Sequence, residues 1–312
     1  MSRLLWGICL ALASISLPAQ SSARAASGPA PTMQEVLAAS TASDWRPLDP
    51  ENTLYMRLPQ GLVVIELAPA YAPLHAKNIR ILARGHYWDG LAIVRVVDNF
   101  VTQWGDPAAL SQDSKALRPL GKAKARLPPE FERDIGPKLP FTKLPDGDVY
   151  APEVGFSRGF PVGRDPQSGK TWLVHCYGMV GAGRGMTADS GPATELYAVI
   201  GQAPRQLDRN IALVGRVVWG MQYLSALPRG QGPMGFYKNP SKYTKIIRVR
   251  LASDLPASAR LHLQVLRTDT ATFEALVESR RNRTDAWYLH PAGKISICNV
   301  PLPVRKAPQA KG

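Results

Sequence analysis

Residues 89–106, DGLAIVRVVDNFVTQWGD, place three side chains of different chemistry within nine positions. Arg95 stands in a run of β-branched residues that is typical of a strand, and Phe100 and Gln103 follow it. A guanidinium stays protonated at any relevant pH, so Arg95 could stabilise a reacting atom with fixed donors and without an acid–base partner. Phe100 could hold an apolar group beside the guanidinium, and Gln103 could either orient the guanidinium or hold a substrate carbonyl. The spacing therefore indicates electrostatic stabilisation on the surface of a strand.

Each of these residues also has an ordinary structural explanation. A charged side chain in an apolar strand is costly to bury unless it is paired, and Asp98 or Asp106 could pair with Arg95. Phe100 alone would be a core residue, and Gln103 alone indicates nothing. Only the combination of the three carries a functional hypothesis.

Other motifs fail on spacing or context. GRDPQSGKT (163–171) has five residues instead of four before Gly-Lys-Thr, GFSRG (155–159) lies between two prolines, and GMVGAGRG (178–185) lacks the third fingerprint glycine. The five histidines do not cluster at metal-ligand spacings. The sequence therefore predicts neither a metal nor a cofactor.

The elements that must position the segment are mostly strands. Apolar, β-branched runs predict strands at 53–59, 61–68, 172–183, 195–201, 211–217 and 245–252. Helical spacing predicts helices at 71–87, at 217–227 and near Thr270–Arg281. Residues 107–172 are rich in proline, glycine and charge, and they predict a long loop excursion with short local structure. Many short strands with few helices predict a mainly β protein with a closed sheet.

The N-terminus has the features of a secretory signal. Arg3 precedes an apolar stretch, and Ala23-Arg24-Ala25 fits the small-x-small cleavage pattern. We therefore expect 1–25 to be a signal peptide, 26–44 a tether, and the mature protein to be exported into a bacterial periplasm. No later run is long and apolar enough to span a membrane.

Composition adds two constraints. The net charge of +14 becomes +12 when Arg3 and Arg24 are removed, but the basic residues are dispersed. A solvated basic surface is therefore favoured over a nucleic-acid site. Cys176 and Cys298 remain in the mature chain, and they could pair in an oxidising compartment or stay as two buried thiols among apolar neighbours.

Several stretches are similar to the cyclophilin-type peptidyl-prolyl cis-trans isomerases. In the first half they are GLVVIELAPAYAP, NIRILARGHYWDG and IVRVVDNFVTQWGD; in the second half they are GMVGAGRGMTADS and ATELYAVIGQAPRQLDRNIALVGRVVWGM. The resemblance covers 53–106 and 173–250. It implies an eight-stranded antiparallel β-barrel capped by two helices. The domain would span 45–252, with 107–172 as a long inserted loop region and 253–312 as a C-terminal extension.

The resemblance also assigns a site, with Arg95 as the catalytic residue. The residues that it implies for substrate binding are Phe100, Val101, Gln103, Gly183, Arg184, Glu195, Tyr197, Gln206, Leu207 and Ile211. Phe100, Val101, Tyr197 and Leu207 would form the proline pocket with Ile211 at its rim, and Gly183 and Arg184 would pair with the peptide main chain. Where the family usually has other residues, this chain has Val94, Val101, Trp104, Glu195, Gln206 and Ile211.

The implied activity is isomerisation of Xaa-Pro bonds in proline-containing polypeptides, which would assist the folding of exported proteins. The alternative is a non-catalytic binding module that uses its altered groove, the 107–172 excursion and the basic extension to hold a protein partner. Retention of Arg95, Phe100 and Gln103 favours the enzyme, and the altered pocket favours the module.

Overall fold

The computed structural model describes residues 31–110, 116–283 and 287–308. The expected signal peptide therefore lies outside the described residues. The strands are β1 Trp45–Pro47, β2 Thr53–Arg57, β3 Leu62–Leu67, β4 Ala92–Val96, β5 Val101–Gly105, β6 Arg133–Asp134, β7 Thr142–Leu144, β8 Glu153–Ser157, β9 Phe160–Asp165, β10 Lys170–Leu173, β11 Met179–Ala182, β12 Leu196–Val199, β13 Leu213–Trp219, β14 Thr244–Lys245, β15 Arg248–Leu251, β16 Leu263–Leu266 and β17 Val304–Lys306. The α-helices are α1 Met33–Ala38, α2 Pro73–Arg84, α3 Gln222–Ser225 and α4 Ala271–Arg281.

The largest sheet is antiparallel and curls on itself, as expected for a mainly β protein. Its order is β14-β4-β5-β12-β11-β13-β3-β2-β15, which makes nine strands in the described residues rather than the eight predicted. The two outermost strands, β14 and β15, are separated in the chain by Ile246 and Ile247 alone. Ile246 donates to the carbonyl of Leu91 on one side, and Ile247 donates to that of Arg57 on the other. A single chain segment therefore joins the two ends of the sheet.

Alternation along the strands separates an inner core from an outer face. In β12, Leu196 and Ala198 belong to the core inside the curled sheet, whereas Tyr197 and Val199 belong to a second apolar cluster on its outer side. In β5, Trp104 points inward and Val101 outward in the same way. Because side chains alternate between the faces of a strand, Gln103 shares the outer face with Tyr197.

The two helices that pack on this sheet differ in length from the prediction. α2 begins with Pro73, which suits a first helical turn, and Glu130 accepts the exposed amides of Leu74 and His75 at 2.9 Å. The helix predicted at 217–227 is wrong in its first part. Val217–Trp219 complete β13, because β-branched residues continue the ladder to β3, and only Gln222–Ser225 are α-helical.

Residues 107–172 form more than a loop. They contain a five-stranded antiparallel sheet in the order β6-β10-β9-β8-β7, which corrects the predicted excursion. The strands are short and joined by glycine turns, so the sequence shows little hydrophobic periodicity. Their apolar residues Val154, Phe156 and Val162 are nevertheless buried in the outer apolar cluster. The predicted strand 172–183 is also divided, because β10 belongs to this second sheet and β11 to the first.

The regions that flank the barrel form a third layer. β1 pairs with β16 and β16 with β17, so the segment just before the barrel and the C-terminal extension share one sheet. Val36 of α1 is buried in the same outer cluster as Leu276 of α4. Residues 26–44, which the sequence predicts as a tether with a short helix near 33–39, contain such a helix at Met33–Ala38, and it is packed against the outer cluster. None of the helices in the described ranges is long and apolar enough to cross a membrane.

A disulfide fastens the extension to the barrel. Cys176 lies between β10 and β11, Cys298 lies in the extension 122 residues later, and the two are bonded with their Cα atoms 4.9 Å apart. Of the two possibilities left by the sequence, the structure contains the paired one. Closing a loop of this length removes about 5 kcal/mol of chain entropy from the unfolded state in the simplest model.

We predict that the double variant Cys176→Ala/Cys298→Ala loses roughly 2–5 kcal/mol of unfolding free energy, since its unfolded chain is no longer cross-linked. Urea denaturation of the oxidised wild type and the variant measures the difference, with reduced wild type as the matched control. Equal stability of oxidised and reduced wild type, or two free thiols titrated in the unfolded oxidised protein, would contradict the assignment.

Candidate active site

Arg95 and Gln103 lie next to each other on the outer face of the barrel. They are cross-strand partners in β4 and β5, and Gln103 in turn faces Tyr197 in β12. The ladder between β4 and β5 shifts its register between Ile93 and Arg95. A bulge of this kind re-aims the side chain that follows it. The row of facing residues therefore sets Arg95, Gln103 and Tyr197 side by side across three strands.

The guanidinium of Arg95 is held on two sides and is half-buried. Its Nε donates to the carbonyl of Met234 at 2.7 Å, and its Nη1 donates to Oε1 of Gln103 at 3.0 Å. Among the described residues, Nη2 has no protein acceptor. Burial lowers the pKa of Arg95 from its ordinary value, but a guanidinium remains protonated at neutral pH. The proposed ion pairs with Asp98 or Asp106 do not form, since Asp98 pairs with Arg229 and the Asp106 carboxylate accepts the amides of Ala108 and Arg118.

An apolar floor adjoins the guanidinium. The Phe100 ring lies 5.6 Å from the Arg95 carbon Cζ and packs against the outer apolar cluster. Val101 and Tyr197 are buried members of that cluster, and Ile211 packs against it. Leu207, at the end of a 3₁₀ turn at Ala203–Leu207, is partly buried. The structure therefore collects four of the five residues assigned to the pocket into one cluster.

The hairpin that carries Phe100 is fixed by Asn99. Asn99 adopts a left-handed backbone with φ of 52°, and its side-chain oxygen accepts the amide of Gln202 at 2.8 Å. Gly201 must lack a Cβ because that atom would lie 2.3 Å from the Asn99 backbone. The carbonyl of Phe100 itself accepts the amide of Ile200 at 2.8 Å. The loop that follows β12 therefore supports Phe100 through these hydrogen bonds.

The hydroxyl of Tyr197 belongs to a buried polar network. It lies 2.9 Å from Nε2 of His175, whose Nδ1 is 2.8 Å from the Asp208 carboxylate. Arg205 donates to Asp208 at 3.0 Å and pairs with Asp148. Burial, assisted by the charge of Asp208, raises the pKa of Tyr197. The network therefore satisfies the Tyr197 hydroxyl inside the protein and holds its ring in place.

Glu195 stands behind Gln103 and has an unusual acidity. The amide of Asp106 donates to its carboxylate at 3.0 Å, and Gln103 donates a further hydrogen bond. The carboxylate lies against Gly105, where any Cβ would come within about 2.0 Å of it. Burial raises the pKa of Glu195 to about 7 despite these hydrogen bonds. Gln103 thus connects a titratable group to Arg95.

The remaining assigned residues line the groove less directly. The amide of Gly183 already donates to the carbonyl of Glu195 at 2.8 Å, so a peptide cannot use it. Arg184 donates to the carbonyl of Asn210 at 2.9 Å and lies 5.5 Å from the ring of Phe131, which belongs to the inserted region. Gln206 is exposed. The Trp104 that replaces a family glycine is buried inside the barrel and leaves the groove unaltered.

Two contacts of Arg95 were not anticipated from the sequence. The Met234 carbonyl accepts its Nε, and the Phe236 ring lies 5.4 Å from its Cζ. Both residues belong to GQGPMGF, whose glycines and proline signalled only a loop. In the described residues no group of three or more histidines, cysteines and carboxylates is arranged to hold a metal ion.

Comparison with known proteins gives one consistent answer. Residues 53–251 match the family model for cyclophilin type peptidyl-prolyl cis-trans isomerases. A probable peptidyl-prolyl cis-trans isomerase from Brucella suis is 27% identical over 202 residues, which cover 63% of this chain and 82% of the relative. A putative thylakoid lumen peptidyl-prolyl cis-trans isomerase from Synechocystis is 25% identical over 57% of this chain and 44% of its own length.

A solved structure is similar over a still larger part of the chain. The crystal structure of cyclophilin AquaCyp293 from Hirschia baltica superposes with a TM-score of 0.69 at 26% identity. It covers 88% of this chain and 97% of its own, so the likeness extends beyond residues 53–251 into the flanking regions. Together with the barrel and its matched family region, these findings show that the chain belongs to the cyclophilin-type peptidyl-prolyl cis-trans isomerases.

Proposed function

We propose that this protein isomerises Xaa-Pro bonds in exported polypeptides, with Arg95 as the catalytic residue. The observation that carries the proposal is the state of one guanidinium. Arg95 is charged, half-buried and fixed through Nε and Nη1, while its Nη2 donors have no acceptor among the described residues. These free donors lie beside an apolar floor that begins at Phe100.

The chemistry needs such a donor. Rotation about a peptide bond costs about 18–20 kcal/mol because amide resonance is lost on the way. In the twisted transition state the proline nitrogen becomes pyramidal and regains a lone pair, which neither planar isomer offers. An Arg95 Nη2 hydrogen bond to that lone pair stabilises the transition state selectively, and this selectivity is what lowers the barrier. No proton leaves Arg95 and no covalent bond forms.

The apolar residues hold the pyrrolidine ring while the rest of the peptide turns. Phe100, Val101, Tyr197, Leu207 and Ile211 would supply this pocket, and burial of the ring offsets part of the cost of ordering the peptide. Gln103 accepts from the guanidinium with Oε1 and thereby orients Arg95. Its side-chain amide nitrogen carries two N–H donors, so Gln103 can also hold the substrate carbonyl.

The proposal also includes a location outside the cytoplasm. The sequence begins with the features of a signal peptide. The disulfide between Cys176 and Cys298 is typical of proteins from oxidising compartments. A relative named for the thylakoid lumen adds support from a second exported setting. We infer a bacterial periplasm as the place of action.

A second candidate function is a binding module that holds a partner without turnover. One observation favours it, namely that the Gly183 amide is already bonded to Glu195 and cannot pair with a peptide. Exchange NMR on a short Ala-Pro peptide separates the two candidates, because a module leaves the exchange rate unchanged at saturating protein.

We predict that Arg95→Ala lowers kcat/KM at least about 100-fold, equivalent to about 3 kcal/mol, because the donors to the proline nitrogen are lost. Arg95→Lys should remain poor, since a single ammonium cannot bond Met234 and Gln103 and still reach the substrate. The exchange assay measures both, and Arg84→Ala, an exposed arginine of α2, is the control. A variant Arg95→Ala with the rate of wild type would remove Arg95 from the mechanism.

We predict that acidification slows catalysis with a midpoint near the Glu195 pKa of about 7. The ionised carboxylate accepts from the Gln103 amide and thereby turns Oε1 toward Arg95, and protonation removes this preference. The expected loss of kcat is several-fold, and Glu195→Gln should abolish the pH dependence. A wild-type profile that is flat between pH 5.5 and 8, or an unchanged profile in Glu195→Gln, would refute this role.

Acidification, which should slow catalysis, should stabilise the fold through the same Glu195 carboxyl. Its pKa is about 7 in the folded protein against 4.5 for the ordinary group, so the folded state retains a proton that the unfolded state has lost within this window. The unfolding free energy should therefore fall as pH rises through this window, by at most about 2 kcal/mol after solvent screening. Urea denaturation of wild type against Glu195→Gln at pH 5 and pH 8 measures the difference, which should vanish in the variant.

A further inference from the structure

Residues 228–238, which we call the edge loop, follow α3 and lie along strand β4. The loop is bonded to that strand at both of its ends. Gly230 donates to the carbonyl of Val96 at 2.9 Å, and Tyr237 donates to that of Val94 at 3.1 Å. Inside the loop, Gly232 donates to the carbonyl of Phe236 at 2.7 Å. The edge loop is therefore tied to the strand that carries Arg95.

The centre of the loop reaches Arg95 itself. The Met234 carbonyl accepts Nε of Arg95 at 2.7 Å, and Phe236 forms an isolated bridge with Arg95 through the backbone. The Phe236 ring lies 5.4 Å from Cζ, nearly the same distance as the Phe100 ring at 5.6 Å. The guanidinium thus has an aromatic neighbour from the proline pocket and another from the edge loop.

The backbone of the loop is shaped for this contact. Met234 adopts a left-handed conformation with φ of 55°, which is uncommon for a residue with a side chain. Gly235 has φ of 79°, and a Cβ there would meet the side chain of Val97 at 2.4 Å. The Met234 side chain is 73% exposed, so its packing does not explain the conformation. The left-handed turn directs the Met234 carbonyl toward Nε of Arg95.

We propose that Phe236 is a positioning residue for the isomerase reaction, which holds the Arg95 guanidinium with its aromatic ring. The inference rests on the proposed function, because it takes Arg95 as the catalytic group. Phe100 must also hold the substrate, whereas Phe236 comes from a different loop and is free to serve Arg95 alone. A cation close to an aromatic face is attracted by the ring quadrupole, and partial burial strengthens the attraction.

The proposal requires that the ring, and not merely an apolar side chain, fixes Arg95. Phe236→Leu keeps apolar packing but removes the quadrupole, so kcat should fall about tenfold with little change in KM. Phe236→Tyr keeps an aromatic face and should restore most of the rate. Gln231→Ala, an exposed position of the same loop, is the matched control. Wild-type kcat in Phe236→Leu, a change in KM alone, or a tyrosine variant as slow as leucine would overturn the proposal.

A second variant covers the case in which Phe236→Leu does not fold. Pentafluorophenylalanine at position 236 retains the shape and burial of the ring but reverses its quadrupole. The expected result is a loss of kcat with an unchanged melting temperature, and full activity of this protein would overturn the proposal. Wild type and Arg95→Ala, measured in parallel, separate a failure of this inference from a failure of the proposals on which it rests. If wild type leaves the exchange rate of the Ala-Pro peptide unchanged, the proposed function fails. If Arg95→Ala is fully active, the catalytic role of Arg95 fails and this inference with it. If Arg95→Ala is inactive while both Phe236 variants turn over normally, only the present inference fails.

Discussion

If Arg95 is the catalytic residue that we propose, its guanidinium must be partly removed from water and still keep free hydrogen-bond donors. A buried cation that is left unpaired is costly, and one that is fully paired has nothing to offer a substrate. The structure meets both demands by using neutral partners. A backbone carbonyl from Met234 and the side-chain oxygen of Gln103 take Nε and Nη1. In the part of the chain that the structure describes, no carboxylate forms an ion pair with Arg95, and Glu195 reaches it through Gln103.

The layers around the barrel follow from the same requirement. Much of the outer face is covered by the inserted sheet, by α1 and α4, and by the sheet that joins β1 to the C-terminal extension. This cover excludes water from the ring of Tyr197 and from the cluster against which Phe100 packs. The polar tip of Tyr197 is satisfied by His175 within the cover, so the floor that it presents is apolar. The second sheet and the extension therefore contribute to the apolar surroundings of Tyr197 and Phe100.

The sequence predicted the parts of this site that depend on local spacing. Arg95, Phe100 and Gln103 lie within nine residues, and a strand, a turn and a second strand bring them together in the manner their periodicity indicates. It could not predict Met234 and Phe236, because these residues are about 140 positions away and reach Arg95 through a left-handed turn.

The second sheet was missed for a different reason. Its strands are short and interrupted by glycine and proline, so burial of Val154 and Phe156 comes from packing between layers and not from a long periodic run.

The pairing of β1 with β16 has a consequence for how the chain acquires its structure. Trp45 faces Leu266, a separation of 221 residues, and the barrel is closed only when Ile246 and Ile247 bond to β4 and β2. Contacts between such distant residues must overcome a large loop-closure entropy before they contribute any stability, which makes folding slow. In the described residues β1 pairs with β16 alone, so it stays unpaired until β16 has been synthesised. We therefore expect the three-stranded sheet and the closure of the barrel to form only once the last quarter of the chain is available.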